Sequence, residues 1–298
     1  MEIELGIADF LSALLLERGA SANTVVSYQG DLKAFAGFLL RAGLRDADAV
    51  TLDDIDRFVA ASNDDGCKPT TCARRTAAIR SFFHFLRERR VIAADPTRLM
   101  DPRRVSRPLP RVLSEREVAE MLDAVSGDSP RDLRDRAMLE TLYGCGLRVS
   151  ELCALRTDDI VADGELVRVT GKGSKTRLVP VGSAVGRTVG EYLDRARGSF
   201  LRGGTAPQMF LTRFGRAFTR QGVFKVIRER AAAVGIAAER ISPHVMRHCY
   251  ATHMLAHGAD IRAIQELLGH SDIGTTQIYT HVDVERFSAI HRRFHPRA

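Results

Sequence analysis

SPHVMRHCYATHMLAHGADIRAIQELLGHSDIGTTQIYTH, residues 242 to 281, carries the densest chemistry in the chain. Ser242 followed by Pro243 predicts a helix start, a hydroxyl cap and a proline at the first helical position. His244 and Arg247 then share a face in the first turn. Backbone N–H groups are unpaired there and the helix dipole is positive, which suits a phosphate. Further on, Asp260 can cap a short amphipathic helix ending at Leu267-Leu268, and Gly269 can take the left-handed turn that redirects His270. Tyr279 follows nine residues later. A hydroxyl, a guanidinium and two imidazoles are what phosphoryl transfer through a covalent enzyme intermediate requires. Alone, such a constellation matches core or surface residues more often than an active site.

The rest of the chain adds to it. Gly146-Leu-Arg148-Val-Ser-Glu151 lies upstream, followed by Gly171-Lys172-Gly-Ser-Lys175-Thr-Arg177. With His244-x-x-Arg247, Leu268-Gly269-His270 and Thr276-x-x-Tyr279, these boxes stand in one order between residues 144 and 281. In that order they resemble the tyrosine recombinases, and the tail from Ile278 to Ala298 resembles the Xer branch of that family. Val245 and Met246 stand where Thr and Leu are common in the family.

The resemblance implies a mainly α fold: an N-terminal helical, SAM-like core-binding domain, residues 1–105, that clamps DNA, and a mainly helical catalytic domain, residues 106–298, with a small antiparallel sheet. It implies that Tyr279 attacks a scissile phosphate, leaving a 3′-phosphotyrosyl link and a free 5′-hydroxyl. Arg148 and Arg247 would neutralise the nonbridging oxygens, His270 would donate a hydrogen bond, His244 would assist proton transfer at Tyr279, and Lys172 would protonate the 5′-oxygen. Glu151 would steady the site. No ATP, metal or other cofactor is expected. The implied partners are double-stranded DNA, a related Xer recombinase forming a heterotetramer on two DNA sites, and a DNA translocase of the division machinery as candidate activator. The implied task is resolving chromosome dimers before cell division.

Charge supports a polyanionic partner. The 298 residues carry 44 Lys and Arg against 37 Asp and Glu, a formal net charge of +7, which alone would also suit a membrane surface. Between Thr71 and Arg111 eleven arginines face three acids, so this helix and linker hold the whole excess. Arg74, Arg75 and Arg80 are its candidate phosphate contacts. Thr219-Arg220-Gln221 at a helix start places Arg220 and Gln221 where they can read guanine and adenine edges. Lys175 and Arg177 are weaker candidates for backbone contact.

Hydrophobic spacing predicts helices over 7–18, 23–42, 52–62 and 69–90, the last packing through Ile79, Phe82, Phe83 and Leu86. Pro96, Pro102, Pro108 and Pro110 mark a tether over 95–111. Ser114 and Glu117 form a capping box; helices follow to about Val125 and over 131–143. Residues 164–170 and 175–181 alternate as a β-hairpin with Lys172 at its tip. A helix over 184–196, a strand at Met209-Phe-Leu211 and a helix over 219–233 complete the core. Residues 283–294 form an amphipathic tail helix that on its residues alone packs on its own domain; the resemblance implies docking in a neighbouring recombinase.

Other chemistries fit less well. Leu166 stands where a nucleotide-binding P-loop needs its first glycine, and Gly173 where it needs Ser or Thr. His253 and His257 have the spacing of a zinc pair, but Met254 replaces the glutamate and no third ligand is evident; His248 is expected to be packed or hydrogen-bonded. Residues 260–281 could pass for the helix-turn-helix of a regulator, which leaves Arg148, Lys172, Arg247 and Tyr279 unexplained. A phage or integron integrase is the other reading within the enzyme class. Five cysteines in odd number, without a C-x-x-C pair, suit free thiols. The acidic N-terminus lacks a signal-peptide pattern, so a cytoplasmic location is expected.

Overall fold

A computed structural model describes residues 1–17, 20–98, 100, 112–171, 176–269 and 281–298, with backbone alone at 22, 163 and 281–284. Lys172, Lys175, His270 and Tyr279 lie outside the described residues, as do positions 101–111 of the expected tether and the expected boundary at 105. The chain divides into two compact units, Met1–Pro108 and Leu109–Ala298.

The first unit is helical: α1 (Ile3–Leu16), α2 (Ala22–Arg41), α3 (Leu52–Asp64) and α4 (Pro69–Glu88). Thr51 and Asp54 close a capping box that starts α3. The expected face of α4, Ile79, Phe82, Phe83 and Leu86, is fully buried. Its rings meet Phe10 of α1 and Phe35 of α2 edge-on or tilted, at 5.9 and 6.2 Å between centroids. α1 begins four residues earlier than the periodicity suggests, because the buried Ile3 is pinned by its N–H donating to Arg45 O.

The second unit holds α5 (Glu115–Asp123), α6 (Pro130–Gly144), α7 (Val149–Ala154), β1 (Ile160–Val161), β2 (Leu166–Thr170), β3 (Thr176–Pro180), α8 (Ser183–Arg195), α9 (Arg197–Leu201), α10 (Arg220–Ala233), α11 (Pro243–Ala256), α12 (Ile261–Leu268) and α13 (His281–Phe294). Ser114 and Glu117 cap α5 as the sequence predicts. α6 runs through the middle: from Leu133 to Gly144 every residue but Arg136 is buried. Gly144 brings it against α8, where a Cβ would stand 2.5 Å from Val185 Cγ2.

The antiparallel sheet has the order β1-β2-β3, with Thr170 opposite Thr176 and Val169 opposite Arg177. The short β1 is an addition to the expected hairpin. The expected strand at Met209–Leu211 does not form. Gln208 and Leu211 each make one isolated bridge, and Met209 O accepts from Tyr192 Oη and Arg197 Nε instead of a strand.

The tail packs on its own unit. Phe287 is buried, His291 Nε2 meets Gly144 O at 2.8 Å, and Arg297 pairs with Asp123 and Glu140. Burial pushes the pKa of both His291 and His295 down, so these imidazoles pack neutral.

Candidate active site

The site is built where the first turn of α7, one edge strand, α11 and the end of α12 converge. Gly146 adopts φ +56°, and a Cβ there would lie 2.8 Å from the Tyr250 ring, so the chain can turn tightly under Arg148 only without a side chain. Arg148 is the N-cap of α7 and Glu151 sits in its first turn. Glu151 Oε2 accepts from the Arg148 backbone N–H at 2.8 Å, closing the helix start, while Oε1 accepts from Arg148 Nη1 at 2.8 Å.

Two further guanidiniums converge on that carboxylate. Arg177 of β3 donates to both oxygens, at 2.8 and 2.9 Å. Arg247 Nη1 stands 3.8 Å from Glu151 Oε2 and donates to Gly146 O at 2.7 Å. The remaining donors go to one place. Three successive carbonyls at the C-terminal end of α12 each accept from one arginine: Leu267 from Arg177 at 3.1 Å, Leu268 from Arg247 at 2.5 Å and Gly269 from Arg148 at 3.1 Å. The negative end of the helix dipole thereby holds cations, and carbonyls with no partner inside the helix are satisfied. Gly269 ends α12 at φ +67°, and Arg177 Cδ passes 3.0 Å from where its Cβ would be.

Burial pushes the Glu151 carboxyl up, but hydrogen bonds and charge from Arg177, then Arg148, outweigh it and hold its pKa at about 2. Arg247 is lowered to about 10, first by burial, then by repulsion from Arg148 and Arg177. It is still a cation at neutral pH. Three guanidiniums therefore surround one carboxylate, leaving the cluster with two uncompensated positive charges among the described residues. Side-chain exposure orders them: Arg148 at 37%, Arg247 at 10%, Arg177 at 7%. Arg148 is the open side.

The structure joins some of the expected residues and parts others. Arg148 and Arg247 come together through Gly146, Glu151 and the end of α12. His244 is exposed on the first turn of α11, whereas Arg247, one turn on, is buried, so the two do not form one hydrogen-bonded group. Tyr250, the other tyrosine of the stretch, is fully buried and its hydroxyl pKa is pushed up by burial, which removes it as a nucleophile.

Arg177, expected near the hairpin as a backbone contact, faces inward in phase with Val179, and its Nε, Nη1 and Nη2 donate to Leu267 O and to both oxygens of Glu151, so it holds the cluster together from within. That phase was the signal available in the sequence. His248 also differs from expectation. It is exposed, because the inward positions of α11 are taken by Met246, Arg247, Cys249 and Tyr250. His253 lies between Tyr143 Oη and Leu113 O, while His257 caps α11 beside Glu115, so the pair does not converge on a metal.

Arg220 and Gln221 are exposed in the first turn of α10, with Thr219 as N-cap. In the first unit, Arg74 pairs with the buried Asp31 and donates to Ser27 O, and Arg75 stacks over Phe58 and donates to Ser62 Oγ. Arg80 is half-buried and makes no hydrogen bond or ion pair with a described residue. Among the described residues no helix is long and apolar enough to cross a membrane.

Comparison with known proteins gives the family. Residues 111–286 match the phage integrase family and residues 7–90 its N-terminal SAM-like domain. The chain belongs to the phage integrase family of tyrosine recombinases. It is 43% identical to the tyrosine recombinase XerD of Proteus mirabilis over 98% of this chain and 93% of that one. The XerD of Listeria monocytogenes serotype 4b is 40% identical over 98% and 99%. The integrase of the Tn1549 transposon, solved in complex with circular intermediate DNA, shares the fold with a TM-score of 0.73. Its identity is 20%, over 96% of this chain and 98% of that chain. The recombinase is accordingly mainly helical with one small sheet, and its arginine cluster lies within the segment that matches the phage integrase family.

Proposed function

We infer that this chain is a site-specific DNA strand-exchange enzyme that cuts and rejoins duplex DNA through a 3′-phosphotyrosyl intermediate at Tyr279. The observation that carries the chemistry is the arginine cluster with its two unmatched positive charges. A phosphodiester in flight to a pentacoordinate state gathers charge on its nonbridging oxygens, and preorganised cations aimed there lower the barrier. Arg148 and Arg247 take that role, with His270 as a further donor. Lys172 delivers the proton to the leaving 5′-oxygen and His244 assists proton transfer at Tyr279. The energy of the broken phosphodiester is kept in the tyrosyl ester, so ligation needs no nucleotide.

The first unit, with Arg74, Arg75 and Arg80, serves as a DNA clamp, and α10 reads bases through Arg220 and Gln221. A related Xer recombinase completes a heterotetramer on two DNA sites, with a DNA translocase of the division machinery as activator. The task is resolution of chromosome dimers in the cytoplasm before division. The similarity to XerD proteins over almost the whole chain supports this assignment.

The test is direct. On a nicked duplex carrying the target site, the wild-type protein should form a DNA adduct that survives denaturant, with or without chelator, and Tyr279→Phe should form none. An undiminished adduct in Tyr279→Phe would remove Tyr279 as the nucleophile.

A further inference from the structure

Between α9 and α10 the chain makes a tight turn. Leu211 bridges Ala217, Thr212 N–H donates to Arg216 O at 2.8 Å, and Gly215 N–H donates back to Thr212 O at 2.9 Å. Gly215 has φ +72°, and a Cβ there would stand 2.8 Å from Phe200 O, so the turn is pressed against the end of α9. It is braced from beneath as well. The Arg134 guanidinium lies over the rings of Phe200 and Phe218, 5.2 and 5.0 Å from their centroids, and donates to Leu211 O. Phe218 stands two residues before Arg220, so turn and helix start share one support.

What this rigid turn displays is unusual. Phe214 is 58% exposed, and it is the one aromatic among the large hydrophobic side chains exposed in the described residues. Arg213 covers its ring at 4.6 Å and Arg202 approaches at 5.9 Å. Arg202, Arg213 and Arg216 are exposed and form no ion pair with a described carboxylate. From Arg195 to Arg228 the chain carries eight basic residues and no acidic one. A surface for a protein partner would ordinarily mix signs. Arg195 and Lys225 at the ends of this stretch pair with Asp128 and Glu229, whereas the unpaired arginines around the exposed Phe214 ring fit a polyanion whose sugars and bases offer apolar faces.

We propose that the turn Arg213-Phe214-Gly215-Arg216, with Arg202 beside it, is a second DNA-contacting element alongside the start of α10. Its arginines hold backbone phosphates, and the Phe214 ring packs on the sugars and base edges between them. Because Gly215 and Arg134 fix the turn before DNA arrives, little ordering is required on binding. This proposal rests on the reading of the chain as a DNA strand-exchange enzyme.

The experiment uses the full chain and a duplex half-site selected by the wild-type protein from a randomised pool. Affinity is measured across a salt series for wild type, the Arg213→Ala/Arg216→Ala double variant, Phe214→Ala and Arg220→Ala. All four side chains are exposed, so the variants fold. The double variant should lower the slope of log affinity against log salt by about 2. Phe214→Ala should weaken binding about 5-fold or more with the slope unchanged. A double variant with wild-type slope and affinity would overturn the proposal. So would a Phe214→Ala variant that binds one half-site normally and loses only cooperative filling of two, since the ring would then serve a protein contact. If wild type itself shows no salt-dependent binding to any duplex, the underlying reading fails instead, and the two failures are distinguishable.

Discussion

Two buried carboxylates in the second unit are ringed by arginines, and they differ in their charge balance. Around Asp135, the side chains of Arg131, Arg134 and Arg230 meet Asp132, Asp135 and Glu229 one for one, with the exposed Lys225 at the edge. Around Glu151, three guanidiniums meet a single carboxylate, and the donors left over go to backbone carbonyls at the end of α12. The first arrangement is complete as it stands and ties α6 to α10. The second is two charges short of balance, an arrangement that favours the arrival of an anion. A fold that has to pair buried ions for stability does so at Asp135. At Glu151 the arginines tie α7, β3, α11 and the end of α12 together and still leave two positive charges without a carboxylate partner among the described residues.

The largest effect expected from this contrast is on stability. Glu151→Gln leaves three guanidiniums without a counter-charge and should cost roughly 3–5 kcal/mol in urea unfolding. Asp135→Asn leaves Asp132 and Glu229 in place and should cost about 1–3 kcal/mol. Equal losses would mean that the two networks are of one kind.

Next comes the separation of stability from chemistry. Arg148→Ala relieves an excess of positive charge and should lower stability by less than about 1 kcal/mol. In single-turnover strand cleavage it should be about 100- to 1,000-fold slower. Arg230→Ala should behave in the opposite way, with clear destabilisation and near-normal cleavage by the folded fraction. If Arg148→Ala unfolds the protein as Arg230→Ala does, the contrast is lost.

The pH dependence of stability follows from the depressed Glu151. Its pKa of about 2, against an ordinary 4.5, means the folded state favours the carboxylate. That contributes about 3 kcal/mol, fully present above pH 4.5 and lost as the pH falls through about 2. Glu117, held at about 2 chiefly by the Arg240 hydrogen bond, titrates in the same window. Unfolding should therefore be followed in a Glu117→Gln background, where adding Glu151→Gln should flatten the remaining acid limb. A limb of unchanged steepness would contradict the assignment. The smallest effect concerns Arg177→Lys, which keeps the charge but loses the fork between Glu151 and Leu267. Cleavage should slow by about 1–2 kcal/mol, roughly tenfold, with half-site affinity unchanged; a loss of affinity would restore Arg177 as a DNA contact.

Much of this was legible in the sequence. Arg148, Glu151 and Arg247 stand in ordered boxes, the capping box at Ser114 is read from Glu117 three residues on, and the buried face of α4 follows from helical spacing. The bonds that make the cluster were not legible. They run between side chains and the carbonyls of Gly146, Leu267, Leu268 and Gly269, and a carbonyl has no letter in a sequence. Arg177 was read as a basic residue near a hairpin tip, when its phase with Val179 aims it into the core. Met209–Leu211 looked like a strand because it is apolar, yet the Met209 carbonyl is claimed by Tyr192 and Arg197 and the Leu211 carbonyl by Arg134, all from neighbouring helices.

The central claim is that the imbalance at Glu151 exists to meet a phosphate, and one substrate tests it most directly. Replacing a nonbridging oxygen of the scissile phosphate by methyl removes its negative charge and therefore the need for a cation. Comparing single-turnover cleavage by wild type and Arg148→Ala on both substrates, the account predicts a defect of about 100-fold or more on the phosphate. On the methylphosphonate it predicts near parity. An equally large Arg148→Ala defect on the neutral substrate would contradict it, and Arg148 would then be a residue that shapes the site without answering its charge.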